Sequence, residues 1–206
     1  IGDQYLGGYG EAEVFSFHAT KVFSTGEGGA ITTNSDKLAE KLRLMRNFGF
    51  TDYDNTEHIG TNAKMSEFSA AYGLVHLGEL DSIIDQNEKI HQAYLQEFSK
   101  FNELKFLDYT FPGKSNYQYV VAQVPSEIRD RLVDYFHGHG ILLRRYFHPG
   151  CHLMEPYASH EQYHSLNLPN TEKISSEIVV FPTGRQLTKT NVKEFAELYG
   201  ISRSKF

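Results

Sequence analysis

Glu13-Val-Phe-Ser-Phe-His-Ala-Thr-Lys21, followed four residues later by Gly26-Glu-Gly-Gly29 and Ala30-Ile-Thr-Thr33, is the stretch on which the reading of this chain turns. Glu13–Phe17 is short and aromatic-rich and predicts a strand; Ala30–Thr33 predicts a second. Between them runs a loop that carries Lys21 and the glycines. A lysine just past a strand end, with hydroxyls at Ser16 and Thr20, suits a bound aldehyde cofactor. Imine chemistry needs an amine that loses its proton near neutral pH, and burial supplies that shift. The phosphate of such a cofactor needs hydroxyl and backbone N–H donors, which Ser16 and the loop offer. The plain alternative is a solvated surface lysine in a glycine-rich turn.

Outward from this stretch, Asn34 or Ser35 predicts the N-cap of a helix over Asp36–Arg46, with Leu38, Leu42 and Met45 on one face. Residues 47–63 are polar and glycine-bearing and read as a long loop. Helical pattern resumes at Ser66 and runs, with a break near Gly78, to Phe101. Its second half places Leu80, Ile83, Ile84, Ile90, Tyr94 and Phe98 on a packing stripe. Pro112-Gly-Lys-Ser115 marks a boundary. Beyond it the pattern predicts a strand over Tyr117–Val124, a helix from Pro125-Ser126 to His137 and a strand over Gly140–Phe147. A helix over Thr171–Ile178, a strand over Val179–Pro182 and a closing helix over Thr190–Tyr199 follow.

Composition narrows the function. Of 206 residues, 40% are hydrophobic and 22% charged, a globular balance that excludes a disordered or low-complexity chain. The net charge of −6, with scattered Lys and Arg, argues against a nucleic-acid partner. The single cysteine, Cys151, excludes an internal disulfide and makes a reducing cytoplasm the expected setting. No apolar run approaches the roughly 20 residues of a membrane-spanning helix. Ten histidines raise the question of a metal. His148, Cys151 and His152 are close in sequence, with His137 and His139 upstream, but a Pro-Gly turn interrupts the cluster. With no CxxC or HExxH spacing present, no metal site is expected. Asp81, Asp85 and Glu88 fall at helical spacing and read as a solvated face, and Glu27 reads as a structural member of the Lys21 loop.

The full string from Glu13 to Ile31 closely resembles the cofactor-lysine segment of the DegT/DnrJ/EryC1/StrS aminotransferases. Two further matches occur in order: Gly60-Thr-Asn-Ala-Lys-Met-Ser-Glu-Phe-Ser-Ala-Ala71, and Arg144-Arg-Tyr-Phe-His-Pro-Gly-Cys-His-Leu-Met-Glu-Pro-Tyr157. Leu168–Glu172 and Val179–Gly184 fit the family's closing pattern. The resemblance implies an α/β protein of the fold-type-I, aspartate-aminotransferase-like class. Residues 1–111 would be the end of the large domain, which binds pyridoxal 5'-phosphate (PLP), with its connecting helix. Residues 112–206 would be the small C-terminal α+β domain. The implied cofactor is PLP, attached to Lys21, which would also shuttle the catalytic proton. Ser16 would bind the cofactor phosphate, and His18 would lie beside it. Asn62 would reach the cofactor of a neighbouring subunit, so that a homodimer shares each active site. Arg145, Tyr146 and His148 would face the nucleotide sugar. The implied reaction moves an amino group from an amino acid, glutamate, to a nucleotide-diphospho-keto-deoxysugar. The string from Tyr146 to Tyr157 is most similar to members that act on dTDP-4-keto-6-deoxyglucose.

One departure from the family pattern bears on activity. The family's acidic segment, whose Asp pairs with the pyridine nitrogen, precedes the glycine-rich stretch, and Ile1-Gly2 falls just after that point. The expectation is therefore a C-terminal half that is inactive alone and exposes apolar surface. A related class of sugar dehydratases replaces the cofactor lysine with histidine; Lys21 favours transamination. A non-catalytic regulator or scaffold that keeps the fold is the alternative from a different class. The retention of Ser16, Lys21 and Asn62 argues against it.

Overall fold

The computed structural model describes residues 5–109 and 113–203. Ile1–Gly2 and the Pro112 of the expected boundary lie outside them. The described chain forms two compact units. The first holds the residues up to Ser82 together with Gly113 and Lys114, and the second holds Ile83–Tyr109 and the residues from Ser115 on.

In the first unit, β1 (Glu13–Ser16) pairs antiparallel with β2 (Gly29–Thr32), with Glu13 opposite Thr32 and Ser16 opposite Gly29. Helix α1 (Asp36–Arg46) is capped by the Ser35 side chain, which accepts from Leu38 N. Asp36 in its first turn and Arg43 and Arg46 in its last complement the helix dipole. Residues 47–63, expected as a loop, contain a small hairpin of β3 (Phe50–Asp52) and β4 (Asn55–Thr56). Strands this short leave little alternation to read. Gly60 is required here: a Cβ on it would lie 2.5 Å from both Gly49 N and Met45 O. Helix α2 (Glu67–Gly78) begins at the Ser66 cap, and only Gly73 of its residues is buried. Phe68, Leu74 and Val75 are exposed, which agrees with the expectation of apolar surface.

Helix α3 (Leu80–Glu97) crosses from one unit to the other. The second unit is an antiparallel sheet in the order β5 (Lys105–Phe106), β6 (Val120–Gln123), β7 (Ile178–Phe181). Its core joins α3 to α4 (Ser126–Gly138) and α6 (Lys189–Ser202) through Ile90, Tyr94, Phe98, Leu132, Phe136, Val192 and Tyr199, all buried against Val120, Ala122 and Phe181. Phe98 stands edge-on to Phe106 and Phe181 with centroids 5.2 and 5.5 Å away, an arrangement the ring quadrupoles favour. The buried Tyr94 hydroxyl donates to Pro182 O at 2.9 Å. Burial pushes this phenol far above its ordinary pKa, so it stays a neutral donor.

The strand expected over Gly140–Phe147 is not formed. Arg144 alone makes a bridge, exchanging hydrogen bonds with Val180, and the chain then turns away. Of the apolar residues there, Leu143 is buried in the core with Ile141 packed against it, while Leu142 and Phe147 stay exposed. Helix α5 (Pro169–Glu177) starts two residues before the predicted Thr171, with Pro169 in its first turn.

The core assignment predicts a contrast. Phe181→Ala, which empties a position shared by four aromatic neighbours, should cost about 3–5 kcal/mol in urea unfolding. Val14→Ala, at an exposed strand position, should stay within about 0.5 kcal/mol of wild type.

Candidate active site

Lys21 lies in the connection between β1 and β2, residues 17–28, and two layers of contact fix that connection. Within the loop, Phe17 N–H donates to Gly28 O at 2.8 Å, Thr25 N–H to Phe17 O at 3.0 Å and Lys21 N–H to His18 O at 2.9 Å. Ser24 and Thr25 are buried. The Ser24 hydroxyl accepts from Gly26 N–H, and the Thr25 hydroxyl donates to Glu27 O. From below, α2 supplies support. Ser24 N–H donates to His76 Nδ1 at 3.0 Å, and the His76 ring stacks on Phe23. A Cβ at Gly73 would come within 2.7 Å of Thr25 Cγ2, so glycine lets the helix approach the loop.

Above this base the chemical groups are gathered on one loop. Ser16 ends β1, and its hydroxyl accepts weakly from His18 N–H at 3.4 Å. His18 Nδ1 accepts from Thr20 N–H at 3.3 Å and lies 2.9 Å from the Thr20 hydroxyl. Its proton therefore sits on Nε2, which lies 3.5 Å from Glu27 Oε1. Glu27 thus orients His18, in keeping with a supporting role. Among the described residues no carboxylate pairs with Lys21 Nζ, so the amine is not committed to an ion pair. An amine with no carboxylate partner among the described residues, on a loop that follows Ser16 and carries a histidine of set orientation, suits a phosphorylated aldehyde in residue type. Asn62 lies elsewhere in the same unit, opposite Asn47 in an isolated bridge. Its neighbour Lys64 donates to Asn47 Oδ1 at 2.9 Å and lies over the Phe48 ring.

The chain belongs to the DegT/DnrJ/EryC1/StrS aminotransferase family. The family's sequence profile matches residues 1–198. The dTDP-4-amino-4,6-dideoxy-D-glucose transaminase of Shigella dysenteriae is 34% identical, over 87% of this chain and 49% of its own length. GDP-perosamine synthase of Caulobacter vibrioides is 33% identical, over 74% of this chain and 42% of its own. The solved structure of DesI, determined in the presence of its TDP-sugar product, superposes with a TM-score of 0.86 at 36% identity. It covers 95% of this chain and 50% of that one. The chain thus spans about half the length of the curated relatives it matches. Fold-type-I architecture, read from the sequence, is shared with these structures.

The other expected site residues of this family member, Arg145, Tyr146 and His148, form a cluster of their own in the second unit. Arg145 Nη1 lies 2.9 Å from Asp130 Oδ1, and the same oxygen lies 2.7 Å from Nε of the buried Arg129. Two guanidiniums thus share one carboxylate. Burial lowers the Arg129 pKa, with Asp130 opposing the shift and Arg145 adding to it. The Tyr146 hydroxyl accepts from Arg144 Nη1 at 2.8 Å, and its ring stacks on Phe147 with centroids 4.8 Å apart. His148 is exposed, and its N–H donates to Arg145 O.

This loop is held from behind by residues the sequence did not single out for the task. Ser175 on α5 donates to Pro149 O at 3.0 Å, and Arg129 Nη1 donates to Ser175 O at 3.0 Å. His152, buried and read from sequence only as a member of a weak metal cluster, donates from Nε2 to Glu172 Oε1 at 3.2 Å. No group of metal-ligating side chains occurs among the described residues. The partners are 15–46 positions apart in sequence, so no local motif could have revealed them.

The hydrogen bond from His152 and that from Leu168 N–H hold the Glu172 carboxyl below the usual carboxylate range. A depressed folded pKa stabilises the fold above the unfolded pKa and loses that contribution as pH falls through the folded value. Glu172→Ala should therefore lower the thermal midpoint at pH 7, and its deficit against wild type should shrink below about pH 4. A deficit that does not change with pH would contradict the carboxylate's role.

Proposed function

We propose that the protein acts in PLP-dependent transfer of an amino group from an amino acid, glutamate, to a nucleotide-diphospho-keto-deoxysugar. The observation that carries this reading is a Lys21 that no carboxylate pairs among the described residues, on a braced loop that follows Ser16 and carries His18. The names of the relatives supply the substrate class: the Shigella relative is named for a dTDP-linked 4-amino-4,6-dideoxyglucose. On that ground dTDP-4-keto-6-deoxyglucose is the proposed acceptor.

PLP, when bound, supplies an electron sink next to the substrate carbon that gains or loses its proton. The chain's own residues have defined tasks in this reading. Lys21 Nζ would hold the cofactor and would carry the proton to and from the reacting carbon. The Ser16 hydroxyl donates to the cofactor phosphate. His18, oriented by Thr20 and Glu27, flanks the same pocket. Asn62 reaches the cofactor of a second subunit, which makes a homodimer the active form. Arg145 offers its guanidinium to the sugar-nucleotide diphosphate, while Tyr146 and His148 border the sugar. Asp130 holds the Arg145 side chain in place before an anion arrives. Residues 1–111 serve as the end of the cofactor domain with its connecting helix, and 112–206 as the small domain. The curated relatives are about twice as long as the span this chain matches, and in this reading the 206 residues are inactive by themselves.

Borohydride reduction of PLP-treated protein followed by peptide mapping tests the assignment, applied to this chain and to the full-length gene product. The expected result is a phosphopyridoxyl adduct on the Lys21 peptide of the full-length product, lost in Lys21→Arg, with amino transfer falling by at least about a thousandfold in that variant. An unlabelled Lys21 in both proteins would overturn the reading. Full turnover by the 206-residue chain would overturn its proposed inactivity alone.

A further inference from the structure

The buried face of α3 carries two polar side chains one helical turn apart, Asn87 at 4% and His91 at 0% exposure. Side chains four positions apart on a helix are neighbours. His91 Nε2 lies 3.0 Å from Leu107 O. A carbonyl only accepts, so Nε2 carries a proton, and in the neutral ring Nδ1 presents a lone pair. Asn87 Nδ2 donates to Asn116 O at 3.4 Å, which fixes the amide orientation and leaves Oδ1 as an acceptor. Among the described residues, neither His91 Nδ1 nor Asn87 Oδ1 has a hydrogen-bond donor.

The nearest hydroxyls are committed elsewhere. The rings of Tyr109 and Tyr117 lie against the His91 imidazole, with centroids 5.1 and 5.3 Å away. Yet the Tyr109 hydroxyl donates to Tyr119 O at 2.7 Å and the Tyr117 hydroxyl to Glu88 Oε1 at 3.1 Å. Two acceptors on neighbouring positions, both removed from solvent, are unfavourable unless one donor-bearing molecule serves them.

We propose that a single water molecule binds between Asn87 Oδ1 and His91 Nδ1, donates one hydrogen to each, and is a fixed part of the second unit. The ligand must donate twice, carry no charge and fit between side chains one turn apart, and water meets all three conditions. A metal ion is disfavoured because one amide oxygen and one imidazole nitrogen make too small a ligand set. The site has a structural task. Leu107 and Asn116 lie on either side of Gly113 and Lys114, which belong to the first unit. The water therefore completes the polar joint by which α3 holds the chain where it leaves the second unit and where it returns.

The competing arrangement is a doubly protonated His91 that donates directly to Asn87 Oδ1. Histidine ring-nitrogen NMR on the wild-type chain at neutral pH separates the two, together with a crystal structure that resolves ordered water. The expected result is a protonated Nε2, an unprotonated Nδ1 with the shift of a hydrogen-bonded acceptor, and a water within reach of both atoms. Asn87→Leu should move Nδ1 to the shift of an unbonded lone pair while Nε2 stays protonated. A protonated Nδ1, a wild-type Nδ1 already at the unbonded position, or no water between the two side chains would each overturn the proposal. If Asn87→Leu does not fold, the wild-type ring shifts and the crystal structure still decide it.

Discussion

The buried turn at Ser24 and Thr25 is the constraint on which the candidate site depends. A two-stranded ribbon such as β1–β2 is marginal by itself, and a long connection across its end has many conformations open to it. Here the connection is closed by hydrogen bonds to Phe17 and Gly28 and then seated on α2 through His76, Phe23 and the bare backbone of Gly73. Lys21 and His18 project from a surface whose underside is packed. Their separation is thereby set by the fold, which is what positioned chemistry requires of a loop.

The second unit solves the same problem with charge. Its aromatic core provides a rigid sheet, but the loop after Arg144 leaves that sheet after one bridge. Arg129, almost fully buried, reaches Asp130 and Ser175, and these in turn hold Arg145 and Pro149. The His152–Glu172 pair ties the far end to α5. A buried guanidinium is tolerated when it is paired, and here the ion pair to Asp130 and the hydrogen bond to Ser175 O reach groups that anchor the loop. The half-buried Tyr146 and the exposed His148 inherit their placement from this hidden network.

Much of the secondary structure was legible because its signals are local. Ser35 and Ser66 before apolar periodicity gave helix starts, and the stripe through Ile83, Ile90 and Tyr94 gave the buried face of α3. The Gly140–Phe147 segment misled for a physical reason. Its apolar residues fit a strand, but only Arg144 finds a partner, and Gly140 and Pro149 bend the chain on either side. The β3–β4 hairpin and β5 escaped notice because elements of two or three residues are defined by a partner rather than by a pattern.

The sequence by itself determined the residue types on the Lys21 loop, the helix boundaries set by caps, and the ordered motifs that place the chain in its family. These properties depend on residues close together along the chain. Tertiary structure decided which side chains hold the candidate residues in place: His76 under Ser24, Asp130 beside Arg145, Glu172 against His152 and Asn87 next to a His91 fastened to Leu107. Apart from the helical Asn87–His91 spacing, each of these depends on a fold-made meeting of distant segments. Burial is what turns those meetings into constraints, because a polar group removed from water must take the partner that the fold brings to it.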